Sequence, residues 1–221
     1  MLMADRGKNQ NHFEASSRAP SSRSFSLIEL MVVVAILAIV IGISAPALLE
    51  VARGQGMKRA ISDVSGMVEL GRGEAMAIST WTWLGLKEQI VNGEPELLAV
   101  LMSSKDGTKS TAGSNLHMIS RPVHIKRVKI LPALTKWAAS NGTVPLDQAS
   151  FSFSQTVNGQ VVNFSNTVLG FSPQGEAAIA SGTVPPWIEI GLRELRGPTE
   201  IEGKTASVRV SGFSGQVIIS Y

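Results

Sequence analysis

The apolar positions of the chain follow three successive patterns. Residues 1–24 are polar, rich in Ser, Asn and Arg, and show no period, which predicts a disordered leader. From Leu30 to Leu49 no residue is charged. At about 1.5 Å per residue that stretch makes roughly 30 Å of helix, the thickness of a bilayer core. Pro46 lies inside it. A proline removes a backbone donor and crowds the preceding turn, so a bend or break is expected there. Beyond it the apolar period becomes three to four. Met57, Ile61, Val64, Val68, Ala75 and Ile78 share one helical face, and Lys58, Arg59, Asp63, Glu69, Arg72 and Glu74 lie largely elsewhere. Gly54, Gly56, Gly66, Gly71 and Gly73 each weaken an isolated helix by about 1 kcal/mol relative to Ala, so this helix is expected to lie against a sheet.

After Ser79 the period switches to that of strands. Trp81 to Leu86 and the apolar run Leu97 to Met102, separated by Asn92-Gly93-Glu94-Pro95, predict a first hairpin. Lys105 to Asn115 reads as an exposed loop, Val123 to Leu131 as one strand ended by Pro132, and Thr135 to Asp147 as turns. Phe151 to Val157 and Gln160 to Phe164 alternate on either side of Asn158-Gly159, the pattern of a hairpin with a tight mirror-type turn. Val168–Phe171, Ala177–Ala180, Trp187–Leu192, Ala206–Val210 and Gln216–Tyr221 add further short strands, which favour an antiparallel sandwich or curved sheet. The fold class expected is α+β, a long N-terminal helix packed on an antiparallel, β-rich C-terminal domain.

Composition narrows the chemistry. The 221 residues suffice for one anchor and one domain, and the absence of cysteine removes disulfides and thiolate sites. The formal net charge is +3. Arg6, Lys8, Arg18 and Arg23 outnumber Asp5 and Glu14 before the apolar segment, so the positive-inside rule keeps that end cytoplasmic and exports the rest. An ordinary secretory signal is the rival reading: Leu30 to Ile43 followed by Ala45-Pro46-Ala47 would release a domain beginning at Leu48. It leaves Glu29 unexplained. An acid heading an apolar span costs on the order of a few kcal/mol without a partner, and therefore points to function.

The stretch Phe25-Ser26-Leu27-Ile28-Glu29-Leu30-Met31-Val32-Val33-Val34-Ala35-Ile36-Leu37-Ala38-Ile39 resembles the N-terminal signature of type IV pilins and pseudopilins. The resemblance implies cleavage between Ser24 and Phe25 by a prepilin peptidase and N-methylation of Phe25. It further implies pairing of Glu29 with the Phe25 amino group of a neighbouring subunit during assembly, and a helix that curves or unwinds near Pro46. Ser24 stands where Gly is usual. Leu70-Gly71-Arg72-Gly73-Glu74-Ala75 is similar to the pattern that closes this helix in the H-type minor pseudopilins of type II secretion, with Gly71 where Ala is usual. Phe171-Ser172-Pro173-Gln174-Gly175 and Val208 to Val217 resemble their closing strands. Trp81-Thr82-Trp83-Leu84-Gly85 with Ser103 to Thr108 is faintly similar to a pilin-like group encoded in gene cassettes of Verrucomicrobia.

The division expected on this basis is a leader at 1–24, a transmembrane and filament-core helix at 25–49, an amphipathic helix at 50–80 continuing into the head, and an exported β-sheet head at 81–221. The product would be a single-pass protein of the bacterial inner membrane with its N-terminus cytoplasmic and its head periplasmic, later part of a filament. Its expected role is structural, as a minor pilin or pseudopilin in a type IV pilus-like or type II secretion filament. The implied partners are other pilins, the prepilin peptidase, an inner-membrane assembly platform and membrane lipid.

Catalytic constellations are scarce. His12 falls in the leader, and His117 and His124, with no cysteine and few nearby acids, read as surface or half-buried histidines rather than metal ligands. Neither a phosphate-binding Gly-rich loop nor a Gly-x-Ser-x-Gly nucleophile turn is present. No enzyme activity, metal or cofactor is therefore expected. A DNA-binding minor pilin is the alternative: Lys126, Arg127 and Lys129, with Arg121 and Lys136 nearby, could meet phosphates. Strand alternation would place Arg127 and Lys129 on one face and Lys126 on the other, so a solvated sheet face competes with that reading. A secreted or membrane-anchored enzyme or binding module is the remaining class.

Overall fold

A computed structural model describes residues 26–131, 142–182 and 184–220, with side chains for all of these except 43–55. The leader at 1–24, Phe25, most of Thr135–Asp147 and Tyr221 lie outside the described residues. The fold is α+β: among the described residues one α-helix precedes thirteen strands. The chain divides into two compact units, Met1–Leu48 and Leu49–Tyr221. Helix α1 (Leu27–Ala77) contributes its first part to one and its second to the other. It ends where Ser79 takes φ 51 and the Thr80 N–H reaches back to the Ala75 carbonyl at 3.0 Å, a left-handed cap of Schellman type. Ile78, expected on the buried face, falls in this cap and is 48 % exposed.

In the second unit the strands are β1 (Thr82–Val91), β2 (Glu94–Ser104), β3 (Leu116–Met118), β4 (Val123–Lys126), β5 (Val128–Leu131), β6 (Thr143–Pro145), β7 (Ala149–Val157), β8 (Gln160–Asn166), β9 (Val168–Phe171), β10 (Ala177–Ala178), β11 (Trp187–Arg196), β12 (Thr199–Ser211) and β13 (Val217–Ser220). The first sheet runs β10-β9-β1-β2-β3, with β4 also on β2. The second runs β13-β12-β11-β5, with β6 parallel to β11, and β7 and β8 form a separate hairpin. Asn92-Gly93 (φ 53 and 79) and Asn158-Gly159 (φ 51 and 80) both lie in the left-handed region that a mirror-type hairpin turn requires, and Asn-Gly tolerates it best.

The first sheet is covered on both faces, which is why Leu97–Met102 is an unbroken apolar run and not an alternating one. Leu97, Ala99 and Leu101 join Ile61, Val64 and Val68 of α1, together with Ile188, Ile190, Leu192, Val208 and Val210 of the second sheet. Leu98, Val100 and Met102 face the other way, into a cluster with Trp83 of β1 and with Phe151, Phe153 and Phe164 of the β7–β8 hairpin. Each fully buried aliphatic side chain in these clusters stabilises the fold by about 1.5–3 kcal/mol. Gly71 allows α1 to approach the sheet. A Cβ there would stand 2.8 Å from Leu101 Cδ1 and 3.1 Å from Phe171 Cε2, which accounts for glycine where the resembling pattern has alanine.

Two expectations are corrected. The single strand over Val123–Leu131 is two strands in two sheets: β4 pairs with β2 and β5 with β11. One straight strand cannot serve both ladders. Arg127 turns the chain between them at φ 62, its N–H bonded to the Pro95 carbonyl and its own carbonyl to the Leu195 N–H. Within the stretch read as turns, Thr143–Pro145 is a strand, held by parallel pairing to Trp187–Glu189.

Candidate assembly site

In the first unit, the described part of α1 is apolar on every side and its described side chains are exposed. Leu30, Met31, Val32, Val33 and Val34 are consecutive, so their side chains point in all directions around the axis, and each is between 44 % and 64 % exposed. A helix of this kind requires an apolar environment. Glu29 is exposed in the first turn, where the positive end of the helix dipole favours an acid by about 0.3–1 kcal/mol. Among the described residues no basic side chain pairs with it. Phe25 and Ser24 lie outside the described residues. α1 runs continuously through Pro46, so the one hydrogen bond that a proline removes does not end the helix. The Pro46 side chain itself lies outside the described set.

Among the described residues no helix is long and apolar enough to cross a membrane. The described side chains of the first unit run to Gly42, about 22 Å along the helix from Leu27, whereas the uncharged sequence continues to Leu49.

The structure separates Arg127 and Lys129, which strand alternation placed on one face with Lys126 on the other. Lys129 donates to Glu200, and so does Arg193. These two donors hold the Glu200 carboxyl below the usual carboxylate range. Lys129 is thereby neutralised by a residue far along the chain, and the shared face with Arg127 is lost because Arg127 is not in a strand. Lys126 and Arg127 remain exposed and line a cleft of about 380 Å³ with Gly56, Arg59 and Asp63 of α1 and with His124.

Several polar groups escaped the sequence reading, some with near partners and some with distant ones. Asp106 accepts from Ser104 Oγ, from the Thr108 N–H and hydroxyl, and from Asn115 Nδ2, all through one oxygen. The Thr108 donors lead in pulling its carboxyl far below the usual range and help order the Lys105–Asn115 loop. Arg72, placed off the apolar face of the helix by its spacing, is half-buried beneath two turns: a Cβ on Gly215 would meet its Cδ at 2.6 Å, and one on Gly175 its Nε at 3.4 Å. His117 is exposed, and His124 Nδ1 lies 2.6 Å from Glu96 Oε1. Among the described residues no three His, Cys, Asp or Glu side chains gather as metal ligands would.

Glu96 is buried and also accepts from Gln89 Nε2 at 2.6 Å. Burial pushes its carboxyl up, and the opposing hydrogen bonds from His124 and Gln89, with the charges of His124 and Lys126, bring it below the ordinary 4.5. A depressed carboxyl stabilises the fold above its unfolded pKa, and that contribution is lost as the pH falls through the folded value. Glu96→Gln is accordingly expected to lower stability by about 1–3 kcal/mol near neutral pH. The difference from wild type should shrink below the ordinary value of 4.5. Thermal unfolding of both proteins across the acid range checks this, and a constant difference would contradict it.

Residues 20–45 match the family model of the prokaryotic N-terminal methylation motif. No curated protein and no solved structure matches the chain. The match covers the processing signal and the start of α1, and it leaves the head without a comparison.

Proposed function

We propose that this chain, which carries a type IV pilin-like N-terminal signal, is a structural filament subunit of the minor pilin or pseudopilin kind. The signal implies membrane anchoring before assembly, processing by a prepilin peptidase and association with other pilins. The observation that carries the fuller reading is the exposed first part of α1, apolar in all directions from Leu30 to Val34, directly after that signal. Before assembly the surrounding apolar medium is the inner-membrane bilayer, with the N-terminus cytoplasmic and the head periplasmic. After cleavage behind Ser24 the medium becomes the helices of neighbouring subunits. Phe25 then carries the methylated amino group, and Glu29 supplies its counter-charge from the adjacent copy. Pro46 marks the helix segment that adapts within the filament. The filament is type IV pilus-like or belongs to type II secretion, and the role is structural, not catalytic.

The chain has no cysteine, so single cysteines can be placed without background. Cysteines introduced one at a time from Met31 to Ile39 are expected to give cross-linked dimers in intact cells expressing the assembly machinery. The pattern should repeat every three to four positions, as packed helices require. Only monomer at every position would overturn the filament reading.

A further inference from the structure

We infer that the cleft between α1 and the β4–β5 joint binds a phosphate group, supplied by the headgroup of an anionic phospholipid. Three permanent cations, Arg59, Lys126 and Arg127, line it against one acid, Asp63. Asp63 is already engaged with Arg59 at 3.9 Å, and His124 on the same wall is engaged with Glu96. Glu194, 3.3 Å from where a Cβ on Gly56 would stand, is answered by Lys204 at 3.6 Å. Gly56 contributes no side chain to the cleft and so leaves it open on the helix side.

Arg127 carries the argument furthest. Its φ of 62 is a left-handed conformation that glycine or asparagine adopts at lower cost, by about 1 kcal/mol, than a long side chain does. Its backbone is held from two sides by Pro95 and Leu195, so the fold requires the turn, and nothing in the turn requires a guanidinium. The side chain is exposed and, among the described residues, has no ion-pair partner. An arginine at a position suited to glycine, lining one cleft with Lys126 and Arg59, matches the demands of a phosphate: a planar fork for two oxygens and further charge around it.

Sequence position favours lipid as the source. The uncharged run ends at Leu49, and Arg59 follows by ten residues, about 15 Å of helix. Helical side chains lean toward the N-terminus, here back toward that run. The polar layer of a bilayer adds about 5–8 Å outside its hydrocarbon core, within reach of long basic side chains placed there. The lipid source rests on the membrane-anchor reading, whereas the phosphate chemistry does not.

The test uses the full chain in a neutral maltoside detergent, with phosphatidylglycerol and phosphatidylcholine added in equal amounts and retained lipid read by native mass spectrometry. Phosphatidylglycerol is expected to be retained about tenfold over phosphatidylcholine, and added inorganic phosphate should compete with it. Lys126→Gln combined with Arg127→Asn should abolish the preference, while Lys129→Gln should keep it. Asparagine suits the left-handed backbone at 127, so loss of the preference does not report unfolding. Equal retention of phosphatidylglycerol by wild type and the double variant would overturn the site. Phosphate binding without a lipid preference would overturn the lipid source, and so would salt-sensitive capture of duplex DNA in its place. None of these failures alters cross-linking through α1, so they are distinct from failure of the filament reading.

Discussion

Glu29→Ala is expected to leave the chain in the membrane fraction at the wild-type level and to lower its recovery in assembled filaments at least about tenfold. Insertion depends on the uncharged run from Leu30 to Leu49, which the substitution leaves intact while removing the costly acid just ahead of it. Assembly is different. In the proposed filament the carboxylate sits among apolar helices opposite the amino group of a neighbouring Phe25. Removing one partner of a buried pair costs about 3–5 kcal/mol, because the other charge is left without an answer. A third of that already corresponds to about a tenfold loss. Glu29→Asp keeps the charge and should recover much of the incorporation, whereas Glu29→Gln should behave like alanine. The readout is the cross-linking pattern from Met31 to Ile39 together with the amount of protein sheared from cells. Wild-type incorporation of the alanine variant would remove the role assigned to the acid.

Gly212→Ala should be the most damaging small substitution in the head. The Gly212 N–H donates to the Pro186 carbonyl at 3.0 Å, and its own carbonyl accepts from Ala177 N at 2.7 Å, so this residue ties the end of β12 to β10 of the other sheet. A Cβ at this position would stand 1.8 Å from the Pro185 carbonyl oxygen and 2.8 Å from Val184 Cγ1. The first of these is backbone and cannot rotate away, so the tie must open. A loss of about 3 kcal/mol or more follows, at the upper end of overpacking costs. For a chain of this size that lowers the Tm by roughly 6–12 °C. Gly66→Ala is the matched control. Gly66 is exposed within α1 and has nothing within 4 Å of its Cβ position, so alanine there should gain up to about 1 kcal/mol through helix propensity alone. Thermal unfolding of the full chain in detergent reports both. Equal melting of wild type and Gly212→Ala would contradict the packing described.

Whether a feature could be read from sequence depended on how local its cause is. Both Asn-Gly hairpins were legible because two residues determine the turn, and the buried face of α1 because Met57, Ile61, Val64 and Val68 recur at the helical period. The N-terminal signal was legible for the same reason: it is a linear pattern that a processing enzyme reads as such. The break at Arg127 was not, because it results from two sheets competing for one stretch of backbone, and neither sheet is visible in the residues from Val123 to Leu131. The β11–β12 hairpin proved longer than its apolar segments because Arg193, Glu194 and Glu200 interrupt the hydrophobic pattern while the ladder continues past them. The pairing of Lys129 with Glu200 was not visible in the sequence either. The two lie 71 residues apart, and no spacing rule reaches that far. The candidate site divides along the same line: Glu29 and Phe25 followed from local sequence, whereas the cleft around Arg127 needed the fold.

The central claim is that the chain is processed as a pilin-like subunit, and the mass of its mature N-terminal residue, measured on protein recovered from its native host, tests it most directly. N-methylated Phe25, with the first 24 residues gone, is the predicted result, and it would make Ser24 a tolerated variant of the cleavage site. Protein beginning at Met1 would be a simple membrane anchor, and protein beginning at Leu48 a secreted domain; either would contradict the filament account.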